Sequence, residues 1–285
     1  MHRTSAYDPR STRPPERRWV GALGAGAIEL WSTAAGLTGT LVGALRAARA
    51  PGDAARRVVG RIVLLQILYT GVQALTLLSV VALFIGATII IQTGIMAPAT
   101  TGEMLGQILV AVVVRELAPL GTAIVVAGRS GTAIATELGG MKVNSEVLAL
   151  ASLGIDPPRY LVFPRLVGSV VSVLALMVYF SVVAIAGGYL VSLLIISPSF
   201  DAMRHGFASA LHPMDLGLYL VKGTGLGALV GWLCCHYGLE VRTSPTEVPQ
   251  KASRAVVMSL LGCVVYNTAV TAAFYALVGS PMPVR

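Results

Sequence analysis

Charged side chains interrupt otherwise apolar stretches at two places in this sequence. Arg115-Glu116 breaks the segment from about Leu105 to Gly128, and Lys222 breaks the one from Leu216 to Leu239. If these segments cross a bilayer, each charge costs several kcal/mol unless it is paired or hydrated. Two readings of Arg115-Glu116 follow. It is an internal ion pair locking two helices, or a polar spot in a substrate path that grips a charged headgroup. Lys222 either snorkels to an interface or faces a cavity, where its compact positive charge attracts a phosphate. Pro119, three residues beyond Glu116, would kink its helix or free backbone carbonyls. Asn267, beside Tyr266, gives the last apolar segment a polar spot of the kind that more often bonds between helices than holds a ligand.

Asp201, His205, His212 and Asp215 lie close together between two apolar segments. They could form a metal or acid/base cluster; scattered polar residues in a solvated loop is the blander reading. There is no G-x-x-x-x-G-K-[ST], so no P-loop ATPase lies in this chain, and neither H-E-x-x-H nor G-x-S-x-G occurs. Cys234, Cys235 and Cys263 sit in apolar runs without a C-x-x-C pair, which fits buried thiols rather than disulfides or a zinc site.

The elements that must carry these residues follow from composition. Only 12% of the 285 residues are charged and 55% are hydrophobic, against about 25% charged in a soluble domain. Mean hydropathy is +0.77. Such a chain cannot cover a water-soluble surface, and it reads as an all-α integral membrane protein. Five spans are predicted, near 68–91, 105–128, 166–195, 216–239 and 255–279. The net charge of +8 is a topology signal, not a nucleic-acid footprint. Ten Lys/Arg precede residue 62, four lie between spans two and three, and three lie between spans four and five. The other side holds Arg204 and Arg285. The basic side is then cytoplasmic, with the N-terminus there and the C-terminus outside.

Residues 1–18 carry five arginines and three prolines with no apolar run, which predicts a flexible basic tail rather than a signal peptide. The remainder, 19–285, reads as one domain. A helix at about 20–50 is placed at the cytoplasmic interface, because arginines flank it on both sides; a sixth span is the alternative. Gly223, Gly227 and Gly231 form a stripe at four-residue spacing that lets helix backbones approach. The long segment 129–165 between spans two and three is amphipathic, with Glu137, Lys142 and Glu146 punctuating Ala, Leu and Val. A short helix there is something a peripheral motor could grip; a surface-lying connector is the plainer reading.

At this segment the sequence resembles the MlaE/YrbE permease family of ABC systems that work with Mce-domain proteins. The resemblance is carried by RELAPLGTAIVVAGRSGTAIATELGGMKVNSEVLALASLGIDPPRYLVFPR, Arg115 to Arg165, with Phe84-Ile85-Gly86 and Ser244–Val257. It extends over about residues 55–280. It implies an N-terminal interfacial helix plus five spans, and a cytoplasmic coupling helix at about Thr136–Leu150. Glu137, Met141, Lys142, Ser145 and Glu146 would meet the ATPase there. It implies a homodimer in the inner membrane, a cytoplasmic ABC ATPase dimer that binds ATP and Mg, a periplasmic Mce-domain protein and a small STAS-domain protein. The permease itself would be non-catalytic and hold no cofactor. Arg115, Glu116, Lys222 and Asn267 would line a cavity for lipid, a phospholipid by this resemblance. Two positions depart from the family: Ser145-Glu146 stands where Glu-Gln is common, and Asn267 where some members carry aspartate. Other function classes consistent with the residues are a lipid-modifying membrane enzyme using Asp201, His205, His212 and Asp215, and a scaffold subunit without a substrate path.

Overall fold

In a computed structural model the described residues are 53–96, 102–195, 200–242 and 244–278. The expected basic tail and interfacial helix lie outside them. Helices joined by short turns make up the described residues, with no strand among them. Helices α1 (Asp53–Ile67) and α2 (Gln73–Met96) are joined by a π-helical turn, Leu68–Val72. Helices α3 (Gly102–Ile108), α4 (Ala118–Val126) and α5 (Thr132–Val143) run on as one rod through π-helical stretches at Leu109–Leu117 and Ala127–Gly131. The short α6 (Glu146–Ser152) leads through the π turn Pro158–Val162 into α7 (Phe163–Ile195). Then come α8 (Phe200–Ala210), α9 (Pro213–Leu239) and α10 (Glu247–Val278).

Five of these stretches are long and apolar enough to cross a membrane: Gly60–Thr93, Gly102–Val143, Pro158–Leu193, Pro213–Leu239 and Glu247–Leu277. The predicted five spans are present, and each is longer than the sequence suggested. At 1.5 Å per residue the first is about 50 Å long, well beyond a hydrocarbon core of about 30 Å. Its end is kept helical by local bonding: Gln66 Nε2 donates to Thr70 Oγ1 at 3.0 Å, one turn on. The predicted connector 129–165 is the larger difference. Residues up to 143 continue the second span, because nothing breaks the helix before Asn144-Ser145. Gly139-Gly140 does not break it, since Gly139 is the point where α5 meets Val241 and Val248. The single coupling helix expected at about Thr136–Leu150 is therefore two helices. They are divided at Ser145, whose φ of 59° is left-handed.

The first span packs against the third, the third against the fourth, and the fourth against the fifth; the second crosses the last three. Apolar surface gains little from contact with another helix in lipid, so close backbone approach must supply the packing. The glycine stripe does this. A side chain at Gly227 would meet the Val170 backbone, and one at Gly231 would meet Ser169. The stripe seats the fourth span on the third. Leu78, Met177, Phe180, Leu226 and Val230 fill the core around it. The segment treated as an outer loop contains α8, which crosses α3 with Gly206 against the Glu103 carbonyl.

Candidate functional site

Pro119 sets the local geometry of the second span. It has no N–H, and its ring displaces the carbonyl one turn back, that of Arg115. The backbone widens in response: Ala118 N–H bonds to Val113 O, five residues earlier. The π turn adds a residue to the cycle and presents Arg115 and Glu116 side by side at mid-helix. Such turns recur at functional sites because they re-aim side chains.

Lys222 completes this arrangement from the fourth span. Its ammonium donates to the Arg115 carbonyl at 2.7 Å and to Glu116 Oε1 at 2.9 Å. It is fully buried. The fifth span supplies the rest. Thr271 Oγ1 donates to Glu116 Oε1 at 3.0 Å, and Asn267 Nδ2 donates to Glu116 Oε2 at 2.9 Å. One carboxylate thus ties three spans. Glu116 keeps 34% of its side chain exposed, whereas Lys222 keeps none.

Arg115 turns the other way. Its Nε lies 2.9 Å from Asp215 Oδ1, and its Nη2 donates to Asp215 Oδ2 and to the Ala210 carbonyl, both at 3.0 Å. Asp215 Oδ2 also accepts the His212 backbone N–H at 2.9 Å, at the start of α9. The four charges sum to zero. Arg115 and Lys222 each have a carboxylate partner, which a low-dielectric setting favours.

Of the four predicted cavity residues, Glu116, Lys222 and Asn267 share one network. Arg115 adjoins it through its backbone, while its side chain belongs to a second pair. Thr271 and Asp215 join the site only in the structure. Thr271 was findable, one turn beyond Asn267 on the same face. Asp215 sits seven residues before Lys222, again on one face of a helix, but was grouped with Asp201, His205 and His212. Among the described residues no three His, Cys, Asp or Glu gather as metal ligands. Asp215 is engaged by Arg115, and His212 Nδ1 lies 3.1 Å from the Ala210 carbonyl.

The predicted coupling residues divide as well. Lys142, Ser145 and Glu146 are exposed at the turn between α5 and α6. Asn144 Nδ2 donates to Glu146 Oε1 at 3.2 Å. Met141 is half-buried against the core. Glu137 pairs with Arg165 Nη2 at 2.7 Å, which fixes α5 to the start of the third span.

Comparison with known proteins accounts for this architecture. The profile of the family described as Permease MlaE matches residues 63–273. The "Probable ABC transporter permease protein RP096" of Rickettsia prowazekii is 28% identical over 216 residues, 75% of this chain and 83% of that protein. The Synechocystis "Probable ABC transporter permease protein slr1045" is 31% identical, covering 74% and 81%. The "Intermembrane phospholipid transport system permease protein MlaE" of Haemophilus influenzae is 29% identical over 195 residues, 67% and 74% of the two chains. With five apolar spans and a family match over most of its length, this multi-pass membrane protein belongs to the MlaE permease family of ABC transporter permeases.

Proposed function

We propose that this permease passes phospholipid between the bilayer and a lipid-binding partner of the Mce type on the face away from the basic end. Two copies act together, driven by a separate ATPase dimer that binds ATP and Mg. A small STAS-domain protein completes the complex. The basic end is cytoplasmic, by the distribution of Lys and Arg, and the membrane is the bacterial inner membrane. The name of the Haemophilus relative supports phospholipid as the cargo class. The observation that carries the reading is the Glu116 carboxylate. It accepts bonds from the fourth and fifth spans and keeps a third of its side chain exposed.

The ATPase meets the turn from Lys142 to Glu146. Exposed Leu148 and Leu153 on and just beyond α6 add an apolar contact surface. From Lys142 to Glu116 the helix is continuous, about 39 Å at 1.5 Å per residue. A push at the turn therefore reaches the charge cluster along one rod. The π turn at Leu109–Leu117 is where that rod can change register. A shift there moves Glu116 relative to Asn267 and Thr271 and alters what the carboxylate and Arg115 offer a headgroup. Acyl chains lie along the apolar walls. Lipid transfer by proteoliposomes holding the full complex tests this. Arg115→Glu should abolish transfer while the ATPase still binds; wild-type transfer in that variant would refute the site.

A further inference from the structure

A cavity lies away from Glu116, at the basic end of the bundle. Its volume is about 630 Å³, within the usual range for small-molecule pockets. Gln66 and Gln73 of the first span, Arg129, Ser130 and Glu137 of the second, and Arg165 of the third line it. Arg129 is thirteen residues beyond Glu116, about 20 Å along the helix.

The wall carries one uncompensated positive charge. Glu137 neutralises Arg165 through the 2.7 Å contact to Nη2. Arg129 has no acidic partner among the described residues. Its one hydrogen bond runs from Nη2 to Gln73 Oε1 at 3.3 Å. The Arg165 side chain is 7% exposed. Its Nη1 donates to the Leu161 carbonyl at 2.9 Å, and its Nε is buried without a hydrogen-bond partner. A buried donor left unpaired costs free energy that a ligand oxygen would recover. The remaining wall, apart from Thr70, is apolar, and two of its residues are exposed, Leu65 at 45% and Tyr69 at 61%.

We propose that this cavity binds the phosphate of a glycerophospholipid from the leaflet at the basic end. Arg129 and Arg165 take the phosphate oxygens. Gln66 and Gln73 take the neighbouring headgroup atoms, and the tails descend past Leu65 and Tyr69. Arg129 suits this task because a guanidinium fork can donate two bonds to one phosphate, while Arg165 offers its unpaired Nε. The site is separate from the Glu116 cluster, and equilibrium binding to it is measurable without transport.

The test is native mass spectrometry of the full-length chain in detergent, titrated with phosphatidylglycerol. Diacylglycerol supplies the same tails without phosphate, and glycerol 3-phosphate supplies the phosphate without tails. Arg129→Gln should weaken phosphatidylglycerol binding about tenfold, the worth of one charge-assisted contact. Arg242→Gln removes the same charge at the same end but outside the cavity, and should bind as wild type. Diacylglycerol should bind poorly, and glycerol 3-phosphate should not displace the lipid. Four results would each overturn the proposal: unchanged binding in Arg129→Gln, equal losses in Arg129→Gln and Arg242→Gln, diacylglycerol binding as tightly as the phospholipid, or full displacement by glycerol 3-phosphate.

Discussion

Lys222 donates to the backbone carbonyl of Arg115, 2.7 Å away and 107 positions earlier in the chain. That carbonyl is the one Pro119 deprives of its helical partner. In lipid an unsatisfied carbonyl has no water to turn to. One ammonium therefore closes two gaps, a backbone acceptor and a carboxylate, and joins the second span to the fourth.

Removing that ammonium should be costly. Lys222→Met leaves Glu116 without its cation and takes the ammonium donor from the Arg115 carbonyl, both of which are destabilising. Thermal unfolding of the detergent-extracted protein should show a marked fall in Tm. The double variant Lys222→Met with Glu116→Gln should lose less than the two single losses combined, since each removes a charge that the other leaves stranded. Additive losses would mean that the pair is not coupled.

Asp215 is predicted to hold Arg115 rather than to do chemistry. Asp215→Asn should lower stability and change transport in the same direction as Arg115→Lys, which keeps the charge but loses the fork. Alanine at both His205 and His212 should leave transport within about twofold of wild type, because both side chains are exposed and the His212 bond to the Asp215 carboxylate is made by its backbone. A loss as deep as that of Asp215→Asn would revive an acid/base role for the segment.

Two glycines of α9 should respond in opposite ways. A Cβ at Gly227 would lie 2.7 Å from Val170 Cα, whereas at Gly217 nothing lies within 4 Å. Gly227→Val should destabilise by about 1–3 kcal/mol through overpacking. Gly217→Ala should stabilise by up to about 1 kcal/mol through helix propensity. Thermal unfolding of the two variants, measured side by side, decides it.

Ser145 stands at the left-handed junction between α5 and α6 with φ 59°. Ser145→Gly should be neutral or stabilising, and Ser145→Val destabilising by about 1–2 kcal/mol, because a β-branched residue resists that conformation. Co-purification of the ATPase with each variant reports on the turn. Ser145→Val should retain less ATPase than Ser145→Gly.

Much of this fold was legible because bilayer thickness leaves few choices: the uncharged runs at 62–102, 166–200 and 255–284 each demand a span. Segment 129–165 was misjudged in its boundaries for a physical reason. Arg129 reads as the end of a hydrophobic stretch, yet a charged residue does not end a helix, and α5 continues because Ile134, Ala135 and Leu138 stay buried. Arg115, Glu116 and Lys222 stood out as charges in apolar surroundings. The need of Glu116 for a partner points to Lys222, but the contacts of Asp215 and Thr271 are not legible, because Asp215 lies outside any apolar run and Thr271 carries no charge. Which acid meets which base depends on helix rotation, which no local pattern specifies.

The most direct measurement is lipid transfer by the reconstituted complex carrying Glu116→Gln. The substitution keeps size but removes the charge that three spans share and turns one accepting oxygen into a donor. The account predicts a complex that assembles with its ATPase and transfers phospholipid at least about tenfold more slowly, a barrier rise of about 1.4 kcal/mol. An assembled complex that transfers lipid at the wild-type rate would contradict it.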